Sequence, residues 1–494
     1  MSATTSSRDE VRTYGGWRAP RSAGVGALTM AETMFLLGGM IVVVMVYVTF
    51  GVPWAGGVLA LGGPVLYLVV TKDKHGVSIM DRRLESLRFS RARRRGANRY
   101  VSGPLAPRYT TGGFRAPGVL WRTTLSEHED VIGRRFALLR HGDGSMAVVM
   151  GLSPAGTRLV DLDQANDLVA LWGQWLASLS GEAGVVAASA VVETCPDSGE
   201  RLRRAVARQA SAQAPAAARA VMDEVVESSA SGADDIRVWA TLTFSPSSLG
   251  AGRRRLVERE IATRLPGLTQ TLQYAGTGAV HLLTAQEVCV MTRVAFDPAS
   301  APLFDTAASR GQQVSLSWGE AGPAGHETSW DSYRHDSGTS RVWTMSSPPS
   351  GTVQFTVLAP ILGMHPDVER KRVALLYLPM DSAKAPDAID ADVNQASARL
   401  DSRARPRARD VREAQITQQM ADEEAAGAGL VDIGAIITCT TTTGGIDEAS
   451  APVESLAASS RLIIRPAWGA QDSGFAVGLP LGLTPGDQSM GGGR

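Results

Sequence analysis

From Thr33 to Thr71 the chain carries no charged residue, a run of 39 positions. As one helix this run would be ~58 Å long, about twice the hydrocarbon core of a bilayer. It predicts instead two spans, Met34–Phe50 and Trp54–Val70, joined by a turn at Gly51-Val52-Pro53. Each sits near the lower limit of ~17–20 apolar residues for a crossing. A cleaved signal peptide predicts one short apolar core and then a translocated domain. Here a second apolar run and strong positive charge follow, which argues against that reading.

Flanking charge sets the expected orientation. Arg8, Arg12, Arg18 and Arg21 precede the run, and Lys72, Lys74 and a series of arginines follow it, while the turn has no charge. The positive-inside rule then places both termini in the cytoplasm, on the cell inner (plasma) membrane. The overall charge hides this asymmetry. The 49 basic and 49 acidic side chains cancel, yet residues 1–120 hold 16 basic and 6 acidic ones. The front is therefore +10 and the rest −10. Cys195, Cys289 and Cys439 are too few and too far apart for a disulfide framework or a CxxC metal pair, which suits a reducing compartment.

After the hairpin, Val77, Met80, Leu84 and Leu87 recur at helical spacing, with Arg82, Arg83, Arg88 and Arg91 mostly between them. The pattern predicts an amphipathic helix along the inner leaflet. Arg93, Arg94 and Arg95 complete a basic set for anionic lipid, each contributing about 1 kcal/mol near such a surface. The Arg91–Arg95 run could instead touch DNA phosphates; adjacency to a span favours lipid. The aperiodic, Pro- and Gly-containing stretch 98–120 reads as a linker.

Beyond it, the expected fold class is α/β (α+β), a cytoplasmic region of two mixed units behind a two-helix transmembrane hairpin. The expected divisions are a tail at 1–29, the hairpin at 30–71, a basic juxtamembrane helix and linker at 72–120, a first unit at 121–350, a second at 351–482 and a flexible tail at 483–494. In the first unit, Phe136–Arg140 and Met146–Leu152 form a hairpin around His141-Gly-Asp-Gly144. A helical stripe runs from Ala165 to Leu179, and strands are expected at Val185–Val192, Ile236–Phe244 and Ala279–Leu283. One Ala-rich helix is expected over 199–229, and another from Arg253 to Leu265 that stops at Pro266. In the second unit, strands are expected at Val353–Leu358, Val373–Leu378 and Arg461–Pro466, with a helix at Pro452–Ser459. The polar region Ser382–Gly427 reads as helix broken at Pro406, and a candidate interaction surface. Val431, Ile433, Ala435, Ile437 and Cys439 alternate, predicting a strand with one buried face.

No catalytic, cofactor or metal site is expected. None of the four lysines (Lys72, Lys74, Lys371, Lys384) follows a glycine, so the chain lacks a GxxxxGK[ST] phosphate loop. The densest polar cluster, His326-Glu327 through His335-Asp336, lacks the second histidine of a zincin helix, since Trp330 holds that position. It reads as a half-exposed hairpin between Trp318 and Trp343. His365, in Met-His-Pro-Asp, reads as a turn histidine.

Several later segments resemble the amino-terminal half of the TraC/TrbE-type ATPases of conjugative type IV secretion systems. These are Arg341-Val-Trp-Thr, Pro348-Pro-Ser-Gly-Thr-Val-Gln-Phe355, Arg372–Pro379, the helix to Glu424, Val431–Thr438 and Gly474-Phe-Ala-Val-Gly-Leu-Pro480. The resemblance covers roughly 330–482, more loosely 121–330. In that family the Leu-Pro segment precedes the motor domain, and here the chain ends soon after it. Tyr14-Gly-Gly-Trp17 and the hairpin look like a PrgI-like or VirB-three-like two-span partner, as in actinobacterial membrane proteins of integrative conjugative elements. The resemblance implies an oligomeric, non-enzymatic scaffold for DNA transfer that works with a separate conjugative ATPase and other secretion-channel subunits; whether it touches DNA itself stays open. The alternatives are an EccE-like core subunit of type VII secretion, and a membrane-tethered hydrolase using His326, Glu327 and His335.

Overall fold

Two apolar helices lead the computed structural model, α1 (Met30–Phe50) and α2 (Val52–Val70), with α3 (Ile79–Arg94) behind them. The structure describes residue 17 and residues 30–485, apart from 74, 104–114, 155–159, 198, 210, 212, 231–233, 247–253, 313, 350–352, 402–406 and 428. The tail at 1–29 (save Trp17), Pro406 and most of the tail at 483–494 lie outside the described residues.

The first half of the body is β2 (Thr124–Glu129), β3 (Arg135–Arg140), β4 (Met146–Ser153), α4 (Leu162–Leu179), β5 (Val185–Pro196), α5 (Glu200–Gln209), α6 (Ala216–Ala230), β6 (Asp234–Phe244), α7 (Arg254–Leu272), β7 (Ala279–Leu282) and α8 (Ala285–Phe296). It is preceded by a short strand, β1 (Arg99–Val101), and followed by α9 (Ala301–Ser309) and α10 (Trp318–Ala321). The second half is β8 (Gly325–Thr328), β9 (Tyr333–His335), β10 (Gly338–Ser347), α11 (Ala359–Leu362), β11 (Arg370–Pro379), α12 (Ala385–Asp401), α13 (Ala408–Ala425), β12 (Val431–Thr441), α14 (Ile446–Ser459), β13 (Ile463–Pro466) and α15 (Gln471–Val477).

All these strands join one sheet in the order β1-β8-β9-β10-β12-β11-β5-β6-β4-β3-β2, with β13 on β10 and β7 on β4. Read outward from the central β11–β5 pair, both directions give the same sequence of elements, except that β1 at one edge has no counterpart at the other. The register repeats as well. Val191 faces Trp239 as Ala374 faces Ile436. Val149 faces Thr241 as Val342 faces Thr438, and Leu152 faces Val280 as Met345 faces Ile464. Even the bond leaving the short strand recurs, Leu283 N–H to Val149 O at 3.0 Å and Ala467 N–H to Val342 O at 2.9 Å. An antiparallel central pair relates the halves by an approximate twofold axis, since antiparallel neighbours are exchanged by such a rotation.

Side chains alternate across the strands, so each face carries its own core. On one face, Leu138, Val148, Ala190 and Leu242 pack under α4 and α7 through Trp175, Ile261 and Leu265. In the second half that face continues with Trp343, Val373, Ile437 and Cys439 under α11 and α14. On the opposite face, Leu139, Val149, Val191, Ala374 and Ile436 meet α8, α15 and the terminal Leu479 and Leu481.

Several expectations change. The boundary at 350/351 falls inside the second half, because β10 before it pairs with β12 after it. β12 buries both faces, being flanked by β10 and β11 and covered on each side. The helix expected to stop at Pro266 runs on to Leu272. Burial of Leu268 and Leu272 offsets the ~3 kcal/mol a helical proline costs. The helix at Pro452–Ser459 begins earlier, at Ile446. The Ala-rich helix over 199–229 is two, α5 and α6, parted ahead of Pro215. Val353–Leu358 is no strand; it ends in a tight helical turn, Phe355–Leu358, leading into α11, whose Ile361 is buried against α14.

Candidate membrane-surface site

Both α1 and α2 are long and apolar enough to cross a membrane, and nearly all their side chains face outward rather than into the protein. At 21 and 19 residues they are ~32 and ~28 Å long, matching a ~30 Å hydrocarbon core. The turn is tighter than the sequence suggests. Gly51 alone breaks the helices at φ 84°, a left-handed conformation that favours glycine, and Pro53 sits in the first turn of α2, where its missing N–H costs nothing.

A short connection turns the chain into α3. The Asp73 carboxylate accepts the N–H of His75 (2.8 Å) and Val77 (3.1 Å). Burial pushes its pKa up, but these bonds outweigh it and hold it below the usual carboxylate range. Ser78 caps α3 by accepting Asp81 N–H at 3.0 Å.

Arg82, Arg83, Arg88, Arg91, Arg93, Arg94 and Arg95 are all exposed, as a surface-binding set requires. Met80, Leu84 and Leu87 share one side of the helix, and Arg91, at the next helical position, extends that stripe rather than flanking it. Leu84 and Leu87 are 41% and 60% exposed. The opposite side is docked on the body. Glu85 meets Arg465 at 2.6 Å, and Phe89 packs edge-on against Trp330 at 5.5 Å. Trp330 in turn stacks on Trp468. Gly469 makes this approach possible, since a Cβ there would stand 2.8 Å from Trp330 and 3.3 Å from Phe89.

The stretch expected to be a linker is in part structural. β1 pairs with β8 and closes that edge of the sheet. Arg99 binds Glu327 through two nitrogens at 2.9–3.0 Å, the Asn98 amide donates to Thr328 O at 3.1 Å, and Tyr100 stacks on His326 at 5.4 Å. The expected linker residues at 104–114 lie outside the described residues.

The His326–His335 cluster is more buried than the half-exposed hairpin expected. His335 is fully buried, its Nδ1 at 2.6 Å from Phe296 O and its Nε2 at 2.7 Å from Ser340 Oγ, which reaches Thr440. Burial lowers both histidines to about 4, so each is neutral at physiological pH. With Glu327 paired to Arg99, the three residues do not converge on one position. Among the described residues no group of three metal-ligating side chains comes together. Lys371 is buried at the start of β11, donating to Gly363 O at 2.6 Å, with burial lowering it to about 8. His365 stands in a surface loop, its Nδ1 accepting Asp367 N–H at 3.2 Å.

One cluster has no local signal in the sequence. Glu193 of β5 lies buried between Arg370 and Arg372 of β11, with Arg372 Nε at 3.0 Å. Burial raises its pKa, but the two guanidinium groups outweigh this and hold it at about 2.

Residues 21–81, the hairpin and the start of α3, match a family described as "Domain of unknown function (DUF8461)". Comparison with curated proteins finds no match. The chain is thus a mixed helix and antiparallel-sheet protein with two leading apolar helices.

Proposed function

We propose that this chain is an inner-membrane scaffold of a conjugative type IV secretion apparatus, with both termini cytoplasmic, docking a separate ATPase motor. The observation that carries the reading is the two-sided mounting of α3. One side offers Leu84, Leu87 and arginines to a lipid surface, and the other is fixed to the sheet through Glu85–Arg465 and Phe89–Trp330. A helix held this way fixes the body at a set pose against the inner leaflet, as a docking platform requires. The order of body elements, which resembles the amino-terminal region of the conjugative ATPases, supplies the partner class.

The test is a pull-down of the full chain from native membranes, with mass spectrometry of what accompanies it. A conjugative ATPase is the expected companion. Small WxG proteins would transfer the chain to type VII secretion. ATP hydrolysis by the purified chain alone would remove the scaffold reading.

A further inference from the structure

Two buried polar groups with no partner stand opposite one another near the centre of the sheet. Arg372 of β11 pairs in register with Thr438 of β12, so their side chains share a face, with about 5 Å between Cβ atoms. Both residues are buried, at 3% and 2% exposure. Arg372 Nη1 and Thr438 Oγ1 each lack a hydrogen-bond partner. The groups beside them are satisfied. Arg372 Nε donates to Glu193, and Thr440, two positions along the same face, shares its hydroxyl with Ser340 at 2.7 Å. Phe475 lies over the guanidinium, but its ring centroid is 5.6 Å from Cζ, close to the outer limit of cation–π attraction.

Charge points the same way. Both oxygens of Glu193 are taken, Oε1 by Arg370 and Oε2 by Arg372. One carboxylate therefore answers two buried guanidinium groups, a local balance of +1. Arg237, the next cation on this face, takes Asp235 at 3.0 Å. Asp297 and Asp336 both go to Arg293, and His335 is neutral. A positive charge left uncompensated in the interior is costly. The chain above keeps a place for a counter-charge. α15 ends at Gly478, over Thr438, and a Cβ at Gly478 would stand 3.3 Å from Oγ1 and fill the space.

We infer that Arg372 Nη1 and Thr438 Oγ1 hold a monovalent anion of the size of chloride. Both groups can donate, one of them is cationic, and the missing counter-charge is one. The ion ties β11, β12 and the turn after α15 together beside the seam that Glu193 closes. The other half of the molecule supplies the contrast. At the places related to Arg372 and Thr438 by the twofold, Ser189 faces Thr241, and both hydroxyls are buried without partners. No arginine stands there, so that pair suits a water, and the guanidinium is what selects an anion at the first site. The inference does not rest on the secretion reading.

The test is the melting temperature of the full chain in detergent, in sodium chloride, bromide or gluconate at one ionic strength of about 150 mM. The wild type should melt about 2–4 °C higher in chloride and bromide, rising with halide concentration, because only the folded state binds the ion. Thr438→Val removes the hydroxyl at nearly constant shape, and Gly478→Ala fills the space. Each should melt alike in all three salts. Crystals of the wild type grown in bromide should show an anomalous peak between Nη1 and Oγ1, a readout that stands even if a variant fails to fold. A wild type that melts alike in the three salts overturns the inference, as does a halide effect that both variants keep. So does a water at that position with no bromide peak.

Discussion

Glu193 joins the halves of the molecule at the scale of single residues, since its carboxylate lies in the first half and both its arginines in the second. Replacing it by alanine leaves two buried cations without a counter-ion and should lower stability by about 3–5 kcal/mol in denaturant unfolding. Its pH dependence has a definite sign. With a folded pKa of about 2 against an ordinary 4.5, the contribution is present above pH 4.5 and lost as pH falls towards 2, up to about 3 kcal/mol in all. The stability gap between wild type and Glu193→Gln should therefore narrow over that window. None of this was legible in sequence, because the partners sit 177 and 179 positions away with no local pattern linking them. A second residue-scale test is Gly482→Ala. Gly482 has φ 72° and lies over β4 so closely that a Cβ would stand 2.4 Å from the Ala147 Cβ. The substitution should cost about 1–3 kcal/mol, read as a lower Tm.

Among the elements, α3 shows what periodicity can and cannot deliver. The uncharged run gave both apolar helices and their break within two residues of Gly51, and the seven arginines are exposed. The docked side was invisible, because Glu85 finds Arg465 across 380 positions and Phe89 becomes a packing residue only once Gly469 admits it. Changing Arg83, Arg88, Arg91 and Arg94 to glutamine should remove roughly 1 kcal/mol of anionic-lipid attraction per residue. Native mass spectrometry of the full chain should then show fewer retained anionic lipids, with unchanged melting. Glu85→Lys should do the reverse, leaving lipid retention intact while freeing α3 from the body, measurable as faster amide exchange in α3. The alternation in Val431–Cys439 marked a strand correctly, yet could not say that both its faces are covered. That depends on neighbours from elsewhere in the chain.

At the scale of the whole molecule, the repeated topology escaped sequence reading because its period is not constant. Val191 and Ala374 are 183 positions apart, but Trp239 and Ile436 are 197 apart. Loops of different length shift each strand by its own amount, so no single offset aligns the halves. A division at 350/351 then looked natural although it cuts through the second half. If the halves are held by the β5–β11 seam, chains 1–310 and 311–494 made together should co-purify, whereas Glu193→Ala in the first should weaken their recovery. The same seam sets a schedule for synthesis. β5 leaves the ribosome about 177 residues ahead of its partner β11, which at ~5–20 residues per second means about 9–35 s. For that interval one side of a long, apolar strand stands unpaired and open to any other chain, close to the surface where the apolar helices would already have been delivered. Slowing elongation between α6 and β11 should therefore lengthen the hazard and raise the aggregated fraction, with no change in the finished protein.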